Sequence, residues 1–151
     1  MENLFRPRLS GVFFIYFCYV LNLNIRYTYR RHEKLKSRKE IDALFLSGNK
    51  INRFPIKIWY QVTDGNGQLK AGVGASKKFI RMAHQRNRAK RLLREAYRLQ
   101  KPLLQAFLIQ EHKNLQLFCL YHATEVMGFE VVYQAMEKSI QKLIHTLREN
   151  H

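Results

Sequence analysis

The stretch SKKFIRMAHQRNRAKRLLREAYRLQK, Ser76–Lys101, carries ten Lys/Arg and a single acid, Glu95. Within it Ala89, Leu92, Leu93, Ala96 and Leu99 recur at three- and four-residue steps. That spacing puts them on one stripe of a helix expected to run from about Ala83 to Gln100. Asn87, Lys90, Arg91, Arg94 and Arg98 fall on the opposite side, and Arg86 and Arg88 flank the stripe near the helix start. Lys90 and Arg94, and Arg94 and Arg98, stand one turn apart and repel each other. A solvated helix face ordinarily mixes Glu with Lys, and this one does not. A phosphate backbone removes the repulsion and releases counterions, and arginine holds phosphate through a fixed bidentate fork. The helix therefore reads as a polyanion-binding element.

The residues around it supply a scaffold. Ser37-Arg38-Lys39-Glu40 fits a capping box, followed by Ile41, Leu44 and Phe45 at helical spacing. Gly48 then offers a left-handed stop, which gives a short helix over about 38–46. Phe54–Val62 alternates, with Ile56, Ile58 and Tyr60 on one face and Lys57, Trp59 and Gln61 on the other. Asp64-Gly65-Asn66-Gly67 reads as a hairpin turn into a returning strand, Leu69–Ser76. Lys50–Arg53 carries a weaker strand signal. Pro102 is expected to stop the basic helix or begin a new turn, with further helix or loop over Leu103–Glu111. Leu115–Tyr121 has the length and apolar character of a buried strand. Phe129–Leu147 has an apolar residue every three or four positions and reads as a long amphipathic helix. The order is α-β-β-(β)-α-β-α, an α+β arrangement in one domain.

Charge is as uneven as hydropathy. The chain's 151 residues carry a net charge of +16. Residues 30–101 hold 20 Lys/Arg against 5 Asp/Glu, whereas residues 102–151 hold 4 against 5. So large an excess destabilises the folded state by self-repulsion unless a polyanion meets it, here in the middle of the chain. The 46% apolar content excludes global disorder. Cys18 and Cys119 form no disulfide framework and no metal motif. Cys119, inside an apolar run, reads as a small buried hydrophobe.

Residues 1–29 stand apart as an N-terminal extension to a domain spanning 30–151. Their apolar run, Val12–Leu21, is too short to span a bilayer, which takes about 20 residues. Arg6 and Arg8 resemble the n-region of a signal peptide, but no small-x-small cleavage site follows. Three readings stand side by side: a start site assigned too far upstream, a loosely attached extension, and a membrane-targeting element.

No hydrolytic constellation accompanies the basic helix. The histidines lack ligand spacing, no carboxylate pair is arranged for two-metal chemistry, and nothing ties a serine to a histidine. The residues by themselves describe a polynucleotide-binding module with no active site. A structural RNA-binding protein, such as a ribosomal protein, would need the same helix. A cationic membrane-surface protein built on Val12–Leu21 is the alternative from another class.

The run from Arg86 to Arg98, RNRAKRLLREAYR, resembles the signature of the bacterial ribonuclease P protein component. Gly72–Lys78 resembles that family's strand and Ser-Lys-Lys lead-in, and Leu35–Ile41 with Leu44, Phe45 and Gly48 resembles its first helix. The resemblance covers about residues 30–148. It implies an α-β-β-β-α-β-α sandwich with a left-handed βαβ crossover, like the second domain of ribosomal protein S5. It also implies a protein that assists a catalytic RNA in removing the 5′ leader of precursor tRNA, in the cytoplasm. No membrane and no stable protein partner are expected. The RNA subunit would do the chemistry with Mg2+, and the protein would supply no catalytic residue and be inactive alone. Lys77, Lys78, Arg86, Asn87, Arg88, Lys90, Arg91, Arg94 and Arg98 would face the catalytic RNA or support its metal ions. Ile41, Phe45, Phe54, Lys57, Trp59 and Tyr60 would line a cleft for the leader. Ile41 stands where family members often carry an aromatic. Strand register decides which of the strand aromatics line a cleft and which pack in the core.

Overall fold

Ser37 opens the first helix, α1 (Arg38–Ser47), by accepting a hydrogen bond from the Glu40 N–H at 3.4 Å. Only this half of the capping box forms, because the Glu40 carboxylate turns to Lys70 instead, at 3.6 Å. Gly48 ends the helix in an extended conformation, φ −75° and ψ 149°, and not as the left-handed stop expected from sequence. The glycine is needed for close approach: a Cβ there would lie 2.4 Å from the Leu44 carbonyl oxygen. The computed structural model describes residues 27–149, so Val12–Leu21 lies outside the described residues.

Strands β1 (Asn49–Arg53), β2 (Ile56–Asp64) and β3 (Leu69–Ala75) follow. The weak strand signal at 50–53 is thus a real strand, and the expected strand over 54–62 splits off Phe54 and Pro55 as the turn that precedes β2. The Asp64–Gly67 turn exists, with Gly67 at φ +83°, yet it does not make a hairpin. Strand β4 (Lys113–Tyr121) enters between β2 and β3, giving the order β1-β2-β4-β3. It runs antiparallel to β2, from Ile56 opposite Tyr121 to Asp64 opposite Lys113. It runs parallel to β3, from Leu69 opposite Leu115 to Ala75 opposite Tyr121. The turn is held open by the incoming strand. Gly65 N–H donates to the His112 carbonyl at 2.9 Å, Gln68 N–H to Asn114 Oδ1 at 2.8 Å, and Leu115 N–H to the Gln68 carbonyl at 2.8 Å. A turn signal reports a local reversal and carries no information about a strand arriving from fifty residues downstream.

The basic helix, α2 (Ala83–Gln110), connects β3 to β4 and runs straight through Pro102. An interior proline removes one helical hydrogen bond and costs about 3 kcal/mol. Beyond it Leu104, Phe107 and Leu108 are buried, and each such side chain returns roughly 1.5–3 kcal/mol, so continuing the helix is favoured. The buried stripe keeps Ala89, Leu93 and Ala96 but is rotated from the expected one. Leu92 and Leu99 are only half-buried, whereas Tyr97, Gln100 and Lys101 are inside. Helix α3 (Phe129–Glu149) packs beside α2, and both cover one face of the sheet. The core lies between, formed by Ile56, Ile58 and Tyr60 of β2 and by Leu115, Leu117, Cys119 and Tyr121 of β4. Helix α1 lies on the other face, against β2 and β4.

Residues 27–35 lace the start of the domain to α2 and β3. The Tyr29 hydroxyl donates to the Ala71 carbonyl at 2.5 Å, and its ring meets Tyr97 edge-on at 5.4 Å. Lys101, 2% exposed, donates to Glu33 at 2.5 Å and to the Thr28 carbonyl at 2.9 Å. The boundary read after residue 29 therefore falls too late, because residues 27–29 are part of the domain.

Burial pushes the Glu33 carboxyl upward, but the Lys101 ammonium and the Arg30 N–H outweigh it and hold the carboxyl below its ordinary range. A depressed carboxylate stabilises the fold above its unfolded pKa, and that stability is lost as pH falls through the folded value. Glu33→Gln should therefore lower the melting temperature at pH 7, where it leaves a buried ammonium without its counter-charge. The gap to wild type should close only as pH falls through and below the ordinary glutamate range, where the wild-type carboxyl also becomes neutral. Thermal melts of both proteins from pH 7 to pH 3 check this, and a gap that does not depend on pH would refute it.

Candidate nucleic-acid interface

The loop from β3 into α2 is folded by its own backbone. The Ser76 carbonyl accepts from the Phe79 and Ile80 N–H groups, and the Ser76 hydroxyl accepts from the Lys78 N–H at 3.2 Å. Ile80 is buried as the anchor, while Lys77, Lys78 and Arg81 are left exposed. Arg86 braces this loop: its guanidinium donates to the carbonyls of Ile80 at 3.1 Å and Arg81 at 2.5 Å. Its charge remains at the helix start, but its donors are partly spent on the protein.

Asn87, Arg88, Arg91 and Arg94 are exposed and Lys90 is half-buried. Among the described residues no carboxylate forms an ion pair with Arg88, Lys90, Arg91 or Arg94. Arg98 differs. Glu95 grips it at 2.9 and 2.6 Å, and it also donates to the Tyr27 carbonyl at 3.0 Å. The hydrogen bonds from Arg98 in turn hold the Glu95 carboxyl below its ordinary range. Sequence placed Arg98 on the ridge with the others; the fold brings an acid and a backbone carbonyl to it, so the open ridge ends at Arg94.

A second surface forms where α1 crosses the sheet. The Phe45 ring meets Trp59 edge-on at 4.9 Å and Phe118 edge-on at 5.2 Å. Ile41 is half-buried one helical turn before Phe45, and Lys57 is half-buried on the Trp59 face of β2. Two residues expected here are elsewhere. Tyr60, 4% exposed, points to the core face with Ile56 and Ile58, because side chains alternate along a strand. Phe54, 63% exposed, sits in the β1–β2 turn at the end of the sheet, not over the cleft floor.

Phe118 was missed from sequence because Leu115–Tyr121 reads as one mostly apolar run, which does not say which face Phe118 takes. Its register supplies the signal: Phe118 lies opposite Trp59 on one side and Gly72 on the other. Gly72 and Gly74 make room for it, since a Cβ at either would lie 2.5 or 2.9 Å from the ring. Cys119 is fully buried and its thiol is pushed up to about 12 by burial, so it is the inert core residue expected.

A four-stranded sheet with two helices on one face, one of them cationic over its N-terminal half, and a cluster of aromatic rings under α1 on the other defines a small basic α+β protein. A family model described as Ribonuclease P matches residues 29–146. The ribonuclease P protein component of Porphyromonas gingivalis is 32% identical over 115 residues, covering 75% of this chain and 84% of its own length. That of Chlorobium phaeobacteroides is 31% identical over 127 residues, covering 79% and 87%. Among solved structures, an RNase P protein from Staphylococcus aureus aligns with a TM-score of 0.55 at 15% identity, over 74% of this chain and 94% of that one. The Thermotoga maritima RNase P protein aligns at 0.52 and 19% identity, over the same shares. These structural likenesses bear on the fold. The chain belongs to the ribonuclease P protein component family.

Trp59 is the one tryptophan in the chain and lies beside Phe118, so its emission reports on the cleft. Gly72→Ala should force the Phe118 ring aside and cost about 1–3 kcal/mol of stability, the usual penalty for overpacking. The accompanying shift in Trp59 emission should be absent from Gly128→Ala, where a Cβ meets nothing within 4 Å. Chemical denaturation followed by fluorescence measures both quantities.

Proposed function

We propose that this chain is the protein subunit of a ribonuclease P ribonucleoprotein, and that it holds the catalytic RNA on α2 and the 5′ leader of precursor tRNA in the cleft under α1. The ribonucleoprotein removes the leader endonucleolytically to give the mature tRNA 5′ end. The observation that carries the reading is the pairing of two unlike surfaces. Arg88, Lys90, Arg91 and Arg94 present charge without carboxylate partners among the described residues, which suits the phosphates of a structured RNA. Phe45, Trp59 and Phe118, with Lys57 beside them, offer rings to unstacked bases, which suits a single strand. A purely structural RNA-binding protein would need the first surface but not the half-exposed aromatic cluster.

The chemistry belongs to the RNA in this reading. Among the described residues no group of three or more His, Cys, Asp or Glu could hold a metal ion. The cations at the start of α2 would repel Mg2+ unless phosphates stood between them. Mg2+ would therefore be held by the RNA, with Arg86, Asn87 and Arg88 supporting the phosphates around it. The protein neutralises charge and fixes the leader. The partners are the catalytic RNA and precursor tRNA, and the setting is the cytoplasm. No described helix is long and apolar enough to cross a membrane.

Reconstitution with the cognate RNA and a precursor tRNA tests the whole reading. The protein freed of RNA should leave precursor tRNA intact, and adding the catalytic RNA with Mg2+ should produce the mature 5′ end. Cleavage by the RNA-free protein would overturn the assignment of chemistry to the RNA.

The two surfaces should also separate by mutation. Arg88→Ala, Arg91→Ala or Arg94→Ala should weaken assembly with the catalytic RNA whatever the substrate. Each should lower the salt dependence of binding by about one unit of slope per lost phosphate contact. Arg98→Ala should do so least, since Glu95 already neutralises it. Phe45→Ala should instead weaken precursor binding by about 1–3 kcal/mol and spare mature tRNA, which has no leader to stack. Salt titrations of assembly and paired affinities for the two tRNAs check this, and equal losses for both tRNAs would return Phe45 to a purely structural role.

A further inference from the structure

Three strand ends meet where the basic loop begins. Ala75 of β3, Tyr121 of β4 and Ile56 of β2 lie in one register row. The next row outward is Ser76, His122 and Pro55, fastened by the His122 N–H donating to the Pro55 carbonyl at 2.7 Å. The His122 ring lies 4.2 Å from that of Phe79, tilted by 58°. Phe54, next to Pro55, is the most exposed Phe, Tyr or Trp ring among the described residues. Arg53, Lys77, Lys78 and Arg81 are exposed around this row, and from Ser76 to Arg94 the chain contains no acid. An exposed phenylalanine and a half-exposed pair of tilted rings, set among cations, have the composition of a base-stacking platform with phosphate contacts at its rim.

The platform is in line with the aromatic cleft. Side chains alternate along a strand, so Phe118, Leu120 and His122 fall on one side of β4, the side that faces α1. Phe118 and His122 are four residues apart, about 13 Å at ~3.3 Å per residue. A single strand laid along β4 would pass Phe45, Trp59 and Phe118 and then reach His122, Phe79 and Phe54. A double helix would not present unstacked bases to both places.

We propose that Phe54, His122 and Phe79 form a second stacking site for a base of the same single-stranded leader that occupies the cleft, with Lys77 and Lys78 on its phosphates. This rests on the leader-cleft reading above and adds a second point of attachment. Leader recognition then depends on two separated nucleotides, with Leu120 and Gly74 lying between their sites.

The test uses the full chain assembled with its cognate catalytic RNA. The probes are precursor tRNAs carrying one abasic nucleotide at successive leader positions, with mature tRNA as the control. Two separated abasic positions should each weaken binding, by about 5- to 100-fold. Phe54→Ala and His122→Ala should erase the penalty at one of them and leave the other, whereas Phe45→Ala should do the reverse. His122→Phe, which keeps a ring, should restore the first penalty. Phe54→Ala removes an exposed ring, so it keeps the test decisive if His122→Ala lowers the melting temperature.

If Phe45→Ala erases one penalty while Phe54→Ala and His122→Ala leave both unchanged, the cleft stands and the second site is wrong. If the Phe54 and His122 variants weaken mature and precursor tRNA equally, the platform touches structured RNA and the proposal is overturned. If no abasic position responds to any variant, the leader-cleft reading falls and takes the platform with it.

Discussion

Strand β4 is the constraint on which the rest depends. Among the described strands it alone pairs on its two sides with strands of opposite sense, antiparallel to β2 and parallel to β3. Parallel pairing with β3 demands a long crossover, and α2 is that crossover. The basic helix is therefore fixed at both ends, by the Ser76–Met82 loop and by the turn at Glu111 and His112. The same strand separates the chemistry of the sheet. Its residues Leu115, Leu117, Cys119 and Tyr121 face the helices and form the core. Phe118, between them, faces the other way and becomes the floor of the cleft. A one-residue slip of β4 would exchange these two sets, burying Asn114 and Gln116 and exposing Leu115 and Leu117. The hydrophobic cost of that exchange is what holds the cleft floor in register.

The elements set by local rules were legible in the sequence. Ser37 and the spacing of Leu44 and Phe45 gave α1, and the alternation of Ile56, Ile58 and Tyr60 gave the buried side of β2. Two of the errors share a cause, which is that a distant partner decided the outcome. The Asp64–Gly67 turn pointed to a hairpin, but β4 lay between the strands. Pro102 pointed to a helix end, but burial of Leu104, Phe107 and Leu108 carried the helix onward. Gly48 pointed to a left-handed cap, but the glycine serves a close approach to Leu44.

The candidate site divides in the same way. The charge pattern from Lys77 to Arg94 was readable because it is local. The aromatic set under α1 was readable only in part, because a strand aromatic's surroundings depend on which face it occupies. Trp59 and Tyr60 are adjacent and both aromatic, yet one lies at the cleft and the other in the core. Phe118 carried no signal at all until its register against Trp59 and Gly72 was known.

The cations of α2 are sorted along its length, and the sorting explains how so basic a helix remains folded. Towards the C-terminal half, Arg98 is held by Glu95 and Lys101 by Glu33 and the Thr28 carbonyl, so charge that points back into the protein is neutralised there. Lys101 requires this, because an unpaired ammonium at that depth would be strongly destabilising. Towards the N-terminal half, Arg88, Lys90, Arg91 and Arg94 form no ion pair with a carboxylate among the described residues. Their mutual repulsion opposes folding of the free protein, and the same repulsion is relieved when phosphates replace the counterions. Positive charge is also worst placed at a helix N-terminus, where the dipole already presents a positive end. Arg86 and Arg88 sit in the first turns of α2 with no acid beside them, and the Met82 side chain provides no cap. The dipole and the side chains therefore add to a single positive field at the start of the helix. That field lies next to the sheet end where β3 and β4 finish and β2 begins, so the most positive part of α2 and the end of the aromatic row are neighbours in the fold.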